Sequence, residues 1–180
     1  MSTKNVPTGI SIPEDFFSII EIPQDVDPIK YEMNKTYDTI FVDRFLSTAM
    51  FYPANYGYIP QTLSEDGDPL DVLVISPYPV VVGSVIRSRP VGVMYMEDEN
   101  GIDAKIIAVP HQKLSKQYDN IQNITDLEHT TLNRIQHFFE HYKDLEEAKW
   151  VKFNGWGDID RAQTEILKCV QFYKDSNPHT

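Results

Sequence analysis

The chain contains a single cysteine, Cys169, among 180 residues. No intramolecular disulfide can form, and a reducing compartment is expected. Long apolar runs are also missing: none exceeds four residues, which excludes a membrane-spanning helix. The amino-terminal Met1-Ser-Thr-Lys-Asn-Val-Pro7 has no apolar segment of the length a signal peptide needs, so a cytoplasmic location is expected. Bases are scarce, 16 against 27 acids, for a formal charge of -11. That charge repels nucleic-acid backbones and anionic membranes, so neither is expected as a partner. Clustered Pro or Gly is absent too, and 41% hydrophobic with 24% charged residues is ordinary globular composition. Without repeats or a linker-like break, residues 1–180 read as one domain.

What is present begins with strands. Residues 17–22, 29–33, 39–45, 71–75, 85–98 and 102–109 are short runs rich in Val, Ile, Tyr and Phe, punctuated by Pro, Gly and Asp. They predict an antiparallel barrel or sandwich. The period then changes. Leu127, Ile135, Phe138, Phe139 and Tyr142 recur at helical spacing with Thr125 and Asp126 as candidate caps, and a second helix starts near Asp158 with Ala162, Ile166, Cys169, Val170 and Tyr173 on one stripe. Strands followed by helices give an α+β, mainly β class. Cys169 falls on the apolar stripe and reads as a core residue.

The most informative stretch is Glu65-Asp66-Gly67-Asp68-Pro69-Leu70-Asp71, four carboxylates in seven residues ahead of the apolar run 72–75. A polar turn is the bland reading. It leaves Asp71 unexplained, because a carboxylate at the mouth of a buried strand is costly unless something neutralises it. Pro69 biases Asp68 toward extended geometry, which would aim Asp66 and Asp68 the same way. A helical calcium loop fails on spacing, since its sixth and twelfth positions would be Asp71 and Pro77 instead of Gly and Glu.

A second cluster is Glu97-Asp98-Glu99-Asn100-Gly101-Ile102-Asp103-Ala104-Lys105. Asn-Gly between apolar runs is a strong hairpin signal. With Asn100-Gly101 as a two-residue loop, Asp98 stands across from Asp103. At about 5 Å and an effective dielectric near 20, two such charges repel by roughly 3 kcal/mol before solvent screening, and a cation between them would reverse the sign. A solvated hairpin tip is the alternative. Oxygen ligands without nearby cysteine or paired histidine select magnesium, manganese or calcium, and carboxylates that leave room for water suit magnesium and phosphate chemistry. Lys30 and Glu32 share a strand face, Arg44 interrupts an apolar strand, Tyr52 and Tyr56 flank a turn-rich segment, and Tyr142-Lys143 closes the first helix. Each alone reads equally as a snorkelling base or core aromatic.

Together, Asp66-Gly-Asp-Pro-Leu-Asp71, Glu21-Ile-Pro, Ile29-Lys-Tyr-Glu32, Phe41-Val-Asp-Arg44, Phe51-Tyr-Pro-Ala-Asn-Tyr-Gly-Tyr-Ile-Pro60, Asp103-Ala-Lys105 and Phe138-Phe-Glu-His-Tyr-Lys-Asp-Leu145 resemble the family I soluble inorganic pyrophosphatases of the bacterial type. The resemblance runs over about residues 12–175. It implies an OB-like five-stranded barrel with two main C-terminal helices packed outside, and magnesium-dependent hydrolysis of pyrophosphate to two orthophosphates, with manganese or zinc as substitute ions. It further implies that Asp66, Asp71 and Asp103 hold the tighter metal, with Asp71 bridging to a second. Asp98 and Asp103 serve ions that come with substrate, and Glu32 another. Asp68 is the general base, and Lys30, Arg44, Tyr56, Lys105, Tyr142 and Lys143 hold the phosphoryl groups, with Arg44, Tyr56 and Lys143 counted among the catalytic groups. Glu21, Tyr52 and Glu99 support the site. His137, His141 and Asp144 are implied at contacts between two trimers of a homohexamer whose assembly would respond to pH. The chain departs from relatives in having Glu147-Ala148 where Pro-Gly is frequent, and Asn34 where aspartate is common.

Two rival readings are retained. His137-Phe-Phe-Glu140-His141 matches the H-x-x-E-H pattern of inverted zinc peptidases, although Phe138 and Phe139 belong to the core stripe and the histidines lie off it. An OB-like barrel can also be a non-catalytic binding module, which the acidic charge disfavours for nucleic acid.

Overall fold

A computed structural model describes residues 3, 5–34 and 36–178. In chain order they form β1 (Gly9–Ser11), β2 (Asp15–Ile22), β3 (Ile29–Asn34), β4 (Thr39–Phe45), β5 (Asn55–Tyr58), β6 (Asp71–Val74), β7 (Val85–Asp98), β8 (Gly101–Pro110), α1 (His129–His141), β9 (Val151–Gly157) and α2 (Ile159–Ser176). The main sheet runs β1-β2-β5-β6-β8-β7-β9, and an added β2–β7 pairing closes strands β2, β5, β6, β8 and β7 into a ring. All pairings are antiparallel except β6–β8. The class is therefore mainly β with two C-terminal helices, as expected. β3 and β4 form a separate two-stranded hairpin.

Strand alternation sorts the core into two clusters. Val72 and Val74 of β6 and Ile106 and Ala108 of β8 pack with Ala162, Ile166 and Cys169 of α2. Their sequence neighbours Leu73, Ile107 and Val109 pack with Ile135, Phe138 and Phe139 of α1. Most of these side chains are fully buried, and each Val, Leu, Ile or Phe among them contributes about 1.5–3 kcal/mol. The same parity continues to the strand ends. Asp71 lies two residues before Leu73, while Asp103 and Lys105 precede Ile107 at two-residue steps, so these polar groups emerge on the face covered by α1.

Where β5 crosses β2 the backbones nearly touch, because a Cβ on Gly57 would lie 1.9 Å from the Ile19 carbonyl oxygen. Only glycine fits there. β1, β5 and β9 are missed by pattern reading. β1 is three residues long, Gly57 breaks β5, and β9 carries an Asn-Gly turn signal whose Gly155 has φ 113° beside a register shift. The second helix begins as expected, with Asp158 accepting from the Arg161 N–H. The first does not. Thr125 and Asp126 are not its caps: they lie in a separate 3₁₀ turn, Ile124–Asp126, closed by a reciprocal capping box between Asn123 and Asp126. α1 starts only at His129, after Glu128.

The hairpin register also differs from expectation. Asp98 pairs with Gly101 and Asp103 with Met96, so the loop residues are Glu99 and Asn100 and the two aspartates are not cross-strand partners. The Asp98 carboxylate accepts the Asn100 N–H at 2.8 Å, and Gly101 takes φ 121°. This side-chain turn ends the strand one residue earlier than a type I′ Asn-Gly loop would.

Candidate active site

The open end of the ring, the β3–β4 hairpin and the segment after α1 enclose a cavity of about 290 Å³. It is lined by Glu21, Lys30, Glu32, Arg44, Tyr56, Asp66, Asp68, Asp71, Asp98, Glu99, Asp103, Lys105, Tyr142 and Lys143 from six parts of the chain. Every expected metal and substrate residue is thus among them. Tyr52 is buried behind the wall, its ring 5.3 Å from that of Tyr56 and 4.6 Å from that of Phe138. His137, His141 and Asp144 do not line the cavity; His141 Nδ1 lies 2.8 Å from Asp144 Oδ2, and the two histidine rings are 4.8 Å apart. Asp66 and Asp68 do share the cavity, through a turn instead of an extended segment: the Asp68 N–H donates to Asp66 Oδ1 at 3.0 Å across Gly67 at φ 90°.

Its polar groups are cross-linked by cations. Lys105 is 3% exposed, and its ammonium donates to Asp71 Oδ2 at 2.5 Å and Asp103 Oδ2 at 2.8 Å. It sits 5.4 Å from the ring centroids of both Tyr56 and Phe139. The parallel register places Asp71 directly beside Lys105. Tyr56 donates a further hydrogen bond to Asp71 Oδ2 at 2.6 Å. Lys143 donates to Asp98 Oδ2 at 2.6 Å and reaches Glu99 at 3.2 Å. Lys30 pairs with Asp43 at 2.9 Å and lies 3.7 Å from Glu32.

These surroundings set the protonation. Burial pushes the Asp103 carboxyl up to about 6 against the pull of Lys105, with Asp71 and Asp66 adding repulsion. Burial raises Asp66 too, and the Asp71 and Asp68 charges act the same way. Desolvation opposes the charge on Lys105, but Asp103 and Asp71 outweigh it and hold the amine protonated. At Asp98 burial acts upward, yet the Lys143 hydrogen bond and the Asn100 N–H leave its carboxyl below the usual range. Glu21, 8% exposed, is pushed up to about 8 by burial, although the Met33 N–H donates to its Oε1 at 2.6 Å. That bond ties β3, with Lys30 and Glu32, to β2.

Pattern reading did not single out Tyr31, Met33, Tyr58, Ser64, Ile102 or Lys149, which also line the cavity. Asp43, the partner of Lys30, could have been found from its place beside Arg44 on an exposed strand. Lys149 follows the helix and carried no periodic signal.

Eight carboxylates face five cationic side chains around this cavity. An excess of acid is unsuited to an anion unless additional cations enter. The donor set is all hard oxygen, which fits a divalent ion such as magnesium. Among the described residues no three metal-binding side chains already meet around one point. The same holds on the H-x-x-E-H helix.

The family profile described as inorganic pyrophosphatase matches residues 18–174. The chain is 63% identical over 173 residues to inorganic pyrophosphatase 2 of Pseudomonas syringae pv. tomato, covering 96% of each chain. It is 60% identical over 175 residues to the inorganic pyrophosphatase of Escherichia coli, covering 97% of this chain and 99% of that one. The crystal structure of inorganic pyrophosphatase from Thermus thermophilus superposes with a TM-score of 0.91 at 45% identity, over 97% of this chain and 99% of that one. No helix among the described residues is long and apolar enough to cross a membrane. A ring of strands ending in a carboxylate-rich, lysine-bridged cavity, carried by a sequence this close to known pyrophosphate hydrolases, means that the chain belongs to the inorganic pyrophosphatase family.

Proposed function

We propose that the enzyme splits pyrophosphate with magnesium, that Asp68 takes the proton of the attacking water, and that residues 1–180 act as one domain. The observation that supports this reading best is the gathering of Asp66, Asp68, Asp71, Asp98 and Asp103 with Lys30, Arg44, Lys105 and Lys143 in one cavity. Asp66, Asp71 and Asp103 would hold the tighter ion, Asp71 bridging to a second, while Asp98, Asp103 and Glu32 would serve ions that arrive with substrate. When bound, magnesium supplies Lewis acidity and neutralises charge on the phosphoryl oxygens.

The chain's own residues do the rest. Phosphoryl transfer needs placement and charge neutralisation more than covalent help. Lys30, Arg44, Lys105 and Lys143 present cations to the two phosphoryl groups, and Tyr56 and Tyr142 offer hydroxyls whose protons burial retains. Asp68 sits on a turn whose backbone is held at both ends, its N–H by Asp66 and its carbonyl by the Ser64 N–H at 2.7 Å. A carboxylate held so is placed for proton transfer. Glu21 steadies the hairpin, and Tyr52 and Glu99 brace Tyr56 and Lys143.

The test is phosphate release from pyrophosphate by purified protein, with magnesium and then with EDTA, beside Asp68→Asn. Magnesium dependence and a loss of turnover of about 100-fold or more, at an unchanged melting temperature, are expected. Equal activity in EDTA, or an unimpaired variant, refutes the assignment. For assembly we propose a hexamer of two trimers joined through His137, His141 and Asp144, supported by the position of all three away from the cavity and of His137 near exposed Phe51.

A further inference from the structure

Glu146 carried no motif signal, does not line the cavity, and has a side chain 15% exposed. Its Oε2 lies 3.1 Å from Arg44 Nη1 and 3.2 Å from Lys149 Nζ. Both of those cations line the cavity. One carboxylate oxygen thus restrains two positive charges from behind the wall. The pairing with Arg44 is only half made: Arg44 Nε and Glu146 Oε1 are the buried side-chain polar atoms left without a hydrogen-bond partner among the described residues. A guanidinium is a planar fork able to serve two acceptors at once. Here one corner is committed to Glu146, while Lys30, across the β3–β4 pair from Arg44, is already held by Asp43. The turn that presents Glu146 and Lys149 carries Ala148 at φ 62°, a left-handed conformation that a non-glycine residue rarely adopts.

We infer that Glu146 is a positioning residue for the substrate-binding cations, holding Arg44, and with it Lys149, in the orientation that meets the pyrophosphate anion. This rests on the assignment of Arg44 to substrate. A pure charge effect predicts the opposite sign, since a carboxylate near an anion site weakens binding and its removal should tighten it.

The experiment compares Glu146→Ala with Glu146→Gln, which keeps an acceptor but not the charge, in kcat/KM for pyrophosphate. Calorimetric binding of methylenediphosphonate, which is not hydrolysed, gives a readout apart from turnover. We expect kcat/KM about tenfold lower in the alanine variant, as for loss of one charge-assisted hydrogen bond, with glutamine recovering at least half of that loss on a logarithmic scale and diphosphonate affinity following. Equal or tighter diphosphonate binding in both variants overturns the proposal. In an Arg44→Gln background, Glu146→Ala should cost less than about threefold, because residues acting through one another are not additive. A full tenfold further loss there overturns the role of Glu146 alone. An Arg44→Gln enzyme with parental kcat/KM overturns the assignment of Arg44 and this inference together. Should the alanine variant melt out, the glutamine variant decides: weaker diphosphonate binding than the parent supports the proposal, and equal or tighter binding overturns it.

Discussion

Replacing Lys105 by methionine removes the buried cation between Asp71 and Asp103 while keeping most of its volume. Breaking a buried pair by deleting one partner costs about 3–5 kcal/mol, because the remaining charge stays uncompensated. Two carboxylates are orphaned here, but their side chains keep 24% and 21% exposure, so water repays part of the loss. We expect about 3 kcal/mol in EDTA, or a melting temperature lower by roughly 6–12 °C for a chain of this size. Tyr56 and Phe139 also lose the ammonium near their rings, a smaller effect of about 0.5–1 kcal/mol within that total. Two further readouts follow. In EDTA the variant should regain stability as pH falls, beginning above pH 6, because the folded Asp103 carboxyl, already raised to about 6 beside Lys105, rises further when that counter-charge is lost. Magnesium at about 100 times its dissociation constant should restore about 2.7 kcal/mol, since it binds only the folded protein. Scanning calorimetry from pH 5 to 8, with EDTA and with magnesium, checks all three. Melting within about 2 °C of the parent in EDTA would show that Lys105 does not neutralise the pair and would refute the reasoning.

Ala148 sits at φ 62°, a conformation that costs a side-chain-bearing residue about 1 kcal/mol relative to glycine. Ala148→Gly should therefore raise the melting temperature by about 2–4 °C, and a lower one would show that the turn is not strained. Asp15 accepts a two-point hydrogen bond from Arg87, at 2.8 and 2.5 Å, which holds its carboxyl below 3.8. That contribution is present above the ordinary value and lost as pH falls through the folded one, so Asp15→Asn should lower the urea midpoint at pH 7 and flatten its decline below about pH 4; parallel curves for parent and variant would refute the pairing. Sedimentation at pH 5 to 8 should give the mass of six chains at neutral pH and smaller species at acid pH, with His137→Ala altering that dependence. A constant mass in both proteins removes the histidines from the interface.

Part of the site was legible because clustered carboxylates and isolated bases are compositional oddities. Asp71 ahead of Val72 conflicts locally with burial, and such a conflict shows in a one-dimensional string, whereas Arg44 proves to lie on a strand that is largely exposed. The helix stripe through Ile135, Phe138 and Phe139, and the cap at Asp158, were equally plain. The cap of the first helix was not: two adjacent capping-type residues, Thr125 and Asp126, concealed a separate 3₁₀ turn. The hairpin register failed for a related reason, since the Asp98 side chain closes the turn earlier than Asn-Gly alone would. Of the three strands lost, β1 is only three residues long, and in β5 and β9 glycine reads as a break, whereas Gly57 and Gly155 mark a close approach and a bulge.

Residue order alone determined the class of fold and the acidic character of the site, through periodicity and the cost of burying charge, while the identities of most groups that meet there came from the resemblance to a family and from neither rule. Which carboxylate faces which lysine was decided only in three dimensions. The closure of β2 onto β7, the parallel step that sets Asp71 beside Lys105, and the turn that carries Glu146 behind Arg44 join residues tens of positions apart. Coulomb energy depends on distances of a few ångströms, and chain separation does not encode them.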